Sequence, residues 1–180
     1  LACEGCGNVA QYVERIRQNK ESVRVAYKHF PSSKKSHHKV AAALEAARAQ
    51  DKFWALHDVL AAYSGPFGEK TDRVLTKLIE KAGLDREAFE KSFEAARDKF
   101  KERITQDLEL AKSLGLSRAP VAFVNGERLA DKRELASLPQ VVDRAHRQAS
   151  IMARGGVDPA MIYQTTAKLN RGADHAPPGG

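Results

Sequence analysis

The sequence predicts an α/β fold in which an all-helical insertion, at about residues 36–114, interrupts a small sheet. Three observations carry this reading. Residues 22–30 alternate with the period of a strand, residues 120–130 read as a tight hairpin, and the stretch between them keeps a helical period. With 180 residues and 42% apolar side chains, the chain is long and apolar enough to bury a core.

The elements follow in order. Val9, Tyr12, Val13 and Ile16 recur at spacings of three and four, which predicts a helix from about Cys6 to Asn19. In the strand that follows, Val23, Val25, Tyr27 and His29 alternate with Arg24, Ala26, Lys28 and Phe30, and Pro31-Ser32-Ser33 stops it. Ser36 is the expected N-cap of a helix running to about Ala49. A second inserted helix carries Phe53, Trp54, Leu56, His57, Val59 and Leu60, and a third begins after Thr71 and ends at Gly83. A fourth runs from near Asp85 to Leu114 with a kink, and its stripe of Phe89, Phe93, Phe100, Ile104, Leu108 and Ala111 belongs to a core. The period then returns to strand over residues 120–124. Asn125-Gly126, a pair that accepts positive φ at both positions, turns the chain into Glu127–Ala130. A closing helix covers about Lys132 to Met152, with Pro139 marking a new start inside it. Asp158 as cap and Pro159 in first helical position open the last helix. Residues 176–180 read as a frayed tail.

Composition excludes several classes. No window approaches the roughly 18 apolar residues of a membrane span. Two cysteines are too few for a disulfide scaffold, and 7% aromatic residues argue against a stacking platform for single-stranded nucleic acid. The net charge is +7, and residues 10–48 hold nine Lys and Arg against Glu14, Glu21 and Glu45. These basic residues keep no single helical spacing and no nucleic-acid motif accompanies them, so they read as solvated faces.

Cys3-Glu4-Gly5-Cys6 is a Cys-x-x-Cys at a helix start. Its spacing lets two sulfurs reach bonding distance, and the free N–H groups of the first turn stabilise a thiolate on the first cysteine. Three readings stay open on spacing alone: a redox pair, half of a zinc site that only His37-His38 could complete, and two inert thiols. The downstream strand and hairpin favour the redox pair. One strand at the front would turn this order of elements into a thioredoxin-type sheet with a helical insertion.

The resemblance rests on four stretches: Cys3-Glu4-Gly5-Cys6; Val25 to Pro31 with a histidine-containing helix start behind it; Asp51-Lys52-Phe53-Trp54-Ala55-Leu56-His57-Asp58; and Leu114 to Gly126. Together they resemble the DsbA-type disulfide oxidoreductases of thioredoxin fold, over about Leu1 to Ala145. The resemblance implies a thioredoxin-like domain over 1–145 and leaves 146–180 as a helical C-terminal extension with a flexible tail. It implies thiol–disulfide exchange on protein or peptide thiols and disulfides, with no organic cofactor, no metal and a redox recycling partner, in an extracytoplasmic compartment such as the bacterial periplasm. Cys3 matches the attacking cysteine and Cys6 the resolving one. Pro120 matches a cis-proline beside the disulfide, and Ala119 before it offers its backbone to a substrate peptide. On this reading Cys3 lies within about 10 Å of Pro120. Trp54 and His57 are packing residues of the insertion, and His37 and His38 lie on a helix surface.

The chain departs from the family at three places. Only Leu1 and Ala2 precede Cys3, so the family's first strand is missing from the numbered chain, and a partner chain or the tail is expected to fill its place. Glu4 and Gly5 stand between the cysteines, where relatives often carry histidine. The Glu4 carboxylate disfavours the Cys3 thiolate and makes the disulfide less oxidising. Ala119 stands where threonine or valine is usual. A peptide-binding module without turnover and a metal-binding thiol protein are the rival functions.

Overall fold

Among the residues the structure describes, helices dominate and a single two-stranded sheet accompanies them. This computed structural model describes residue 3 and residues 5–19, 22–95 and 97–173, the last three by backbone alone. The tail and Glu4 therefore lie outside the described residues. The chain divides into two compact units, Leu1–Glu14 with Ala26–Ala119, and Arg15–Val25 with Pro120–Gly180.

The first unit is built around α2 (Lys35–Ala47), which packs against α3 (Phe53–Ala61), α4 (Thr71–Lys81), α5 (Arg86–Ala95) and α6 (Arg97–Ser113). Its small side chains explain this central place: Ala43, Ala46 and Ala47 are buried beside Val40 and Leu44, so neighbouring helices approach from several sides. Leu44, Leu56 and Leu60 are the largest fully buried side chains. Each such leucine contributes about 1.5–3 kcal/mol by leaving water. Phe89, Phe93 and Phe100 join this core as the aromatic stripe predicts, the first two from α5 and the third from α6. Residue 96 between the two helices, on which the expected kink turns, lies outside the described residues.

Two expectations need correction here. Ser36 does not cap α2. Lys34 occupies the cap position without a side-chain bond, and the Ser36 hydroxyl donates instead to the Phe67 carbonyl, 3.1 Å away. The segment predicted as a strand over 22–30 forms no ladder with any described residue. Its alternation is real, since Val23, Val25, Tyr27 and His29 face inward and Arg24, Ala26 and Lys28 face outward. A strand needs a neighbour to exchange backbone bonds with, and no described segment lies there to do so. The inward donor of this segment is satisfied otherwise: the His29 N–H donates to Asp107 Oδ2 at 2.8 Å.

In the second unit β1 (Ala122–Val124) pairs antiparallel with β2 (Glu127–Leu129), in a register that sets Val124 opposite Glu127. Asn125 and Gly126 take φ of 46° and 91°, the doubly left-handed turn the dipeptide predicts. A reciprocal capping box between Asp131 and Glu134 opens α7 (Lys132–Ala136). The new start at Pro139 is the first turn of α8 (Leu138–Arg154), which packs on β1. Finally α9 (Pro159–Ala173) packs on α8 and β2, and Asn170 Nδ2 donates to the Asn125 carbonyl at 2.8 Å. The remaining helix, α1 (Cys6–Asn19), has the bounds its periodicity predicts.

Candidate active site

Cys3 and Cys6 are joined by a disulfide across a Cα–Cα distance of 5.3 Å. Cys6 is the first residue of α1 and is buried, at 8% exposure, whereas Cys3 lies ahead of the helix and is half-buried. The Cys6 N–H donates to the Cys3 carbonyl at 3.2 Å, which closes the loop against the helix start. The free N–H groups and positive dipole end of α1 therefore lie beside the sulfurs.

Cys3 opens on a cavity of about 190 Å³ inside the first unit. Val40, Ala41 and Leu44 of α2 form one wall and Phe30 and Pro31 another, with Ser117, Arg118 and Ala119 completing the lining. No aspartate or glutamate lines it among the described residues. His37 also faces this cavity, its Nδ1 2.8 Å from Ser32 Oγ. Burial first, and then the positive charge of Lys34, pull the His37 pKa below the ordinary imidazole value.

A second cavity, of about 320 Å³, is lined by Lys28, Arg48, Arg103 and Gln106 around the carboxylates of Glu45 and Asp107. Tyr27 lines both cavities. Between them lies a buried hydrogen-bonded pair. His29 Nε2 is 2.8 Å from Glu45 Oε1, and each of the two residues is 2% exposed. Glu45 also accepts from Arg48 Nη2 at 3.0 Å and from Arg103 Nη1 at 2.6 Å. Burial alone would raise the carboxyl's pKa. The hydrogen bonds from His29 and Arg48, with the positive charge of Arg48, overcome it and hold Glu45 down at about 2. The Tyr27 hydroxyl is pushed well above its usual value by burial and then by the carboxylates of Asp107 and Glu45.

The structure thus brings Cys3 and Ala119 to one cavity, with Cys6 joined to Cys3 by the disulfide. Pro120 is half-buried and opens the second unit, two residues before β1. Trp54 and His57 pack edge to face at 5.0 Å, with His57 Nδ1 2.8 Å from Asp58, away from the lining of the cysteine cavity. His29, Glu45 and Asp107 were not legible as site residues. The signal for Glu45 was its position in the apolar second half of α2, residues 40–47, where a buried carboxylate must be paired. Among the described residues no three His, Cys, Asp or Glu side chains gather as a metal site.

Comparison with known proteins adds the following. Residues 10–143 match the model of the DSBA-like thioredoxin domain, a match that begins after the cysteine pair. A thioredoxin-like oxidoreductase from Silicibacter pomeroyi DSS-3 superimposes with a TM-score of 0.68 at 27% identity, covering 81% of this chain and 82% of that one. The thiol-disulfide exchange protein alpha-DsbA2 from Wolbachia pipientis shares the fold, with a TM-score of 0.71 at 17% identity over 79% of this chain and 76% of that one. In sequence, the chain is 30% identical over 159 residues to the Na(+)/H(+) antiporter NhaA 3 of Salinispora tropica, covering 87% of this chain and 24% of that protein. It is 28% identical over 149 residues to the Na(+)/H(+) antiporter NhaA 1 of Mycolicibacterium vanbaalenii, covering 81% and 24%. The chain spans about a quarter of the length of these curated relatives. No helix among the described residues is long and apolar enough to cross a membrane.

Proposed function

The chain belongs to the DSBA-like thioredoxin-domain family, whose chemistry is thiol–disulfide exchange, and from that premise we propose that Cys3 and Cys6 are its redox pair and act on protein or peptide thiols. A substrate thiolate attacks Cys3 Sγ, the Cys3–Cys6 bond breaks, and Cys6 leaves as a thiolate. The substrate's second thiol then attacks the mixed disulfide and releases the reduced pair, and the reverse sequence reduces a substrate disulfide. The observation that carries this reading is the disulfide itself, which sits at the start of α1 with Cys3 open on a cavity and Cys6 buried behind it. That asymmetry suits one attacking and one resolving sulfur.

In this reading the backbone at Ala119 and Pro120 holds an extended peptide across Cys3. Ala119 lines the same cavity as Cys3, which supports its part in this. Glu4 opposes the helix dipole and weakens the oxidant. A recycling partner resets the pair, and the setting is extracytoplasmic, the bacterial periplasm, where disulfides persist. Ion antiport is not carried over from relatives of which this chain covers a quarter.

The test is dithiothreitol-driven reduction of insulin. The wild type should accelerate it, Cys3→Ser should abolish the acceleration, and Cys6→Ala should accumulate a mixed disulfide. Activity that survives Cys3→Ser would remove the pair from the mechanism. A wild type that binds cysteine peptides without turnover would make the chain a binding module. The Cys3–Cys6 reduction potential then gives the direction of net exchange.

A further inference from the structure

The buried pair between the two cavities has a geometry that packing does not use up. His29 spends Nε2 on Glu45. Its Nδ1 has no hydrogen-bond partner among the described residues, yet no buried polar side-chain atom there lacks one. Nδ1 therefore reaches open space, and the cavity that His29 lines is the one holding Cys3. Nε2 donates to the Glu45 carboxylate, which leaves Nδ1 as the ring nitrogen that can take a proton, and His29 lines the cavity that Cys3 lines. A carboxylate on one imidazole nitrogen, with the other nitrogen left open on a cavity that holds a sulfur, is the arrangement that can activate a nucleophile.

We infer that His29 is the general base and acid of exchange at Cys3, with Glu45 as its positioning residue. The inference rests on the redox reading above. A substrate thiol gives its proton to His29 Nδ1 as its sulfur electron pair forms the bond to Cys3 Sγ. The Cys3–Cys6 bond breaks and its electron pair goes to Cys6 Sγ. The imidazolium, held against the Glu45 carboxylate, then gives its proton to the Cys6 thiolate or to water. One disulfide is spent, one mixed disulfide is made, and the proton is returned.

Other charged and titratable groups surround the dyad. Arg48 Nη2 shares Glu45 Oε1 with His29, Arg103 holds Glu45 Oε2, Asp107 holds the His29 N–H, and Lys28 pairs with Asp107. Tyr27 packs edge to face on the His29 ring at 5.2 Å, and His37 and Arg118 face the same cavity. The cationic groups on Glu45 keep it ionised, so the imidazolium formed during exchange meets a full negative charge in a dry site.

The experiment follows mixed-disulfide formation between the oxidised protein and N-acetylcysteine amide, from pH 6 to 9.5, by acid quench and mass spectrometry. His29→Gln retains a donor for Glu45 and loses the base. At pH 6.5 it should react at least about tenfold more slowly than the wild type. The ratio should fall toward one by pH 9.5, where a thiol of ordinary pKa, about 8.5, ionises unaided. A ratio that is the same at every pH, or no change at all, would overturn the role of His29 and leave the redox reading standing. A wild type inert at every pH would overturn both. If His29→Gln does not fold, ¹⁵N imidazole spectra of the wild type decide. The oxidised protein should hold the Nε2–H tautomer, and the Nδ1 resonance should move when Cys3 carries a mixed disulfide. The opposite tautomer or an unmoved resonance would defeat the inference.

Discussion

At Glu45 a single carboxylate, out of water in an alanine-rich helix, governs how the protein answers acid. Its folded pKa of about 2 lies below the ordinary 4.5, so ionised Glu45 favours the fold. That stability is complete above about pH 4.5 and is lost as the pH falls through about 2, with an amplitude on the order of 3 kcal/mol. Glu45→Gln should cost about 3 kcal/mol at pH 7 and should flatten the acid limb between pH 4.5 and 2, measured by urea unfolding at stepped pH. A variant with the wild-type acid limb would show that other carboxylates set it. The sequence hid this role because Glu45 stands among nine basic residues in the same window, where a surface ion pair is the ordinary reading. Its partners His29 and Arg103 are 16 and 58 residues away along the chain, so only the folded helices bring the three together.

Helices and hairpin were legible wherever local chemistry decides. The bounds of α1 and the left-handed Asn125-Gly126 turn follow from period and dipeptide. What was not legible depends on a neighbour: the ladder that residues 22–30 do not form, and the Ser36 hydroxyl drawn to Phe67 instead of to its own helix. The hairpin turn also depends on a neighbour in a way that can be measured. A Cβ at Gly126 would lie 2.9 Å from the Cα and carbonyl oxygen of Ala167 in α9, whereas one at Gly156 meets nothing within 4 Å. Both glycines have positive φ, so alanine is strained at either. Gly156→Ala should cost about 1 kcal/mol, the backbone term alone. Gly126→Ala should cost about 3 kcal/mol, because α9 must also move. Equal costs by urea unfolding would mean that α9 yields freely.

For the molecule as a whole, a net charge of +7 acts on encounter rather than on fold. With Arg118 and His37 on the cysteine cavity and no carboxylate among its described lining, the expected outcome is a preference for anionic peptides. Exchange with a peptide carrying aspartate on both sides of its cysteine should slow about threefold between 20 and 500 mM salt, while a lysine-flanked peptide should not slow. Equal salt dependence for the two peptides would show that charge plays no part in capture. The contact of Asp107 with the His29 N–H bears on another behaviour of the molecule, its solubility when crowded. An extended stretch without a ladder is the shape onto which strands of other copies grow, and natural proteins blunt such edges with charge. Asp107 occupies the inward donor, and its ion pair with Lys28 sets two charges on that edge. Asp107→Ala should therefore raise thioflavin-positive aggregation on mild heating, at protein concentrations where the wild type stays clear.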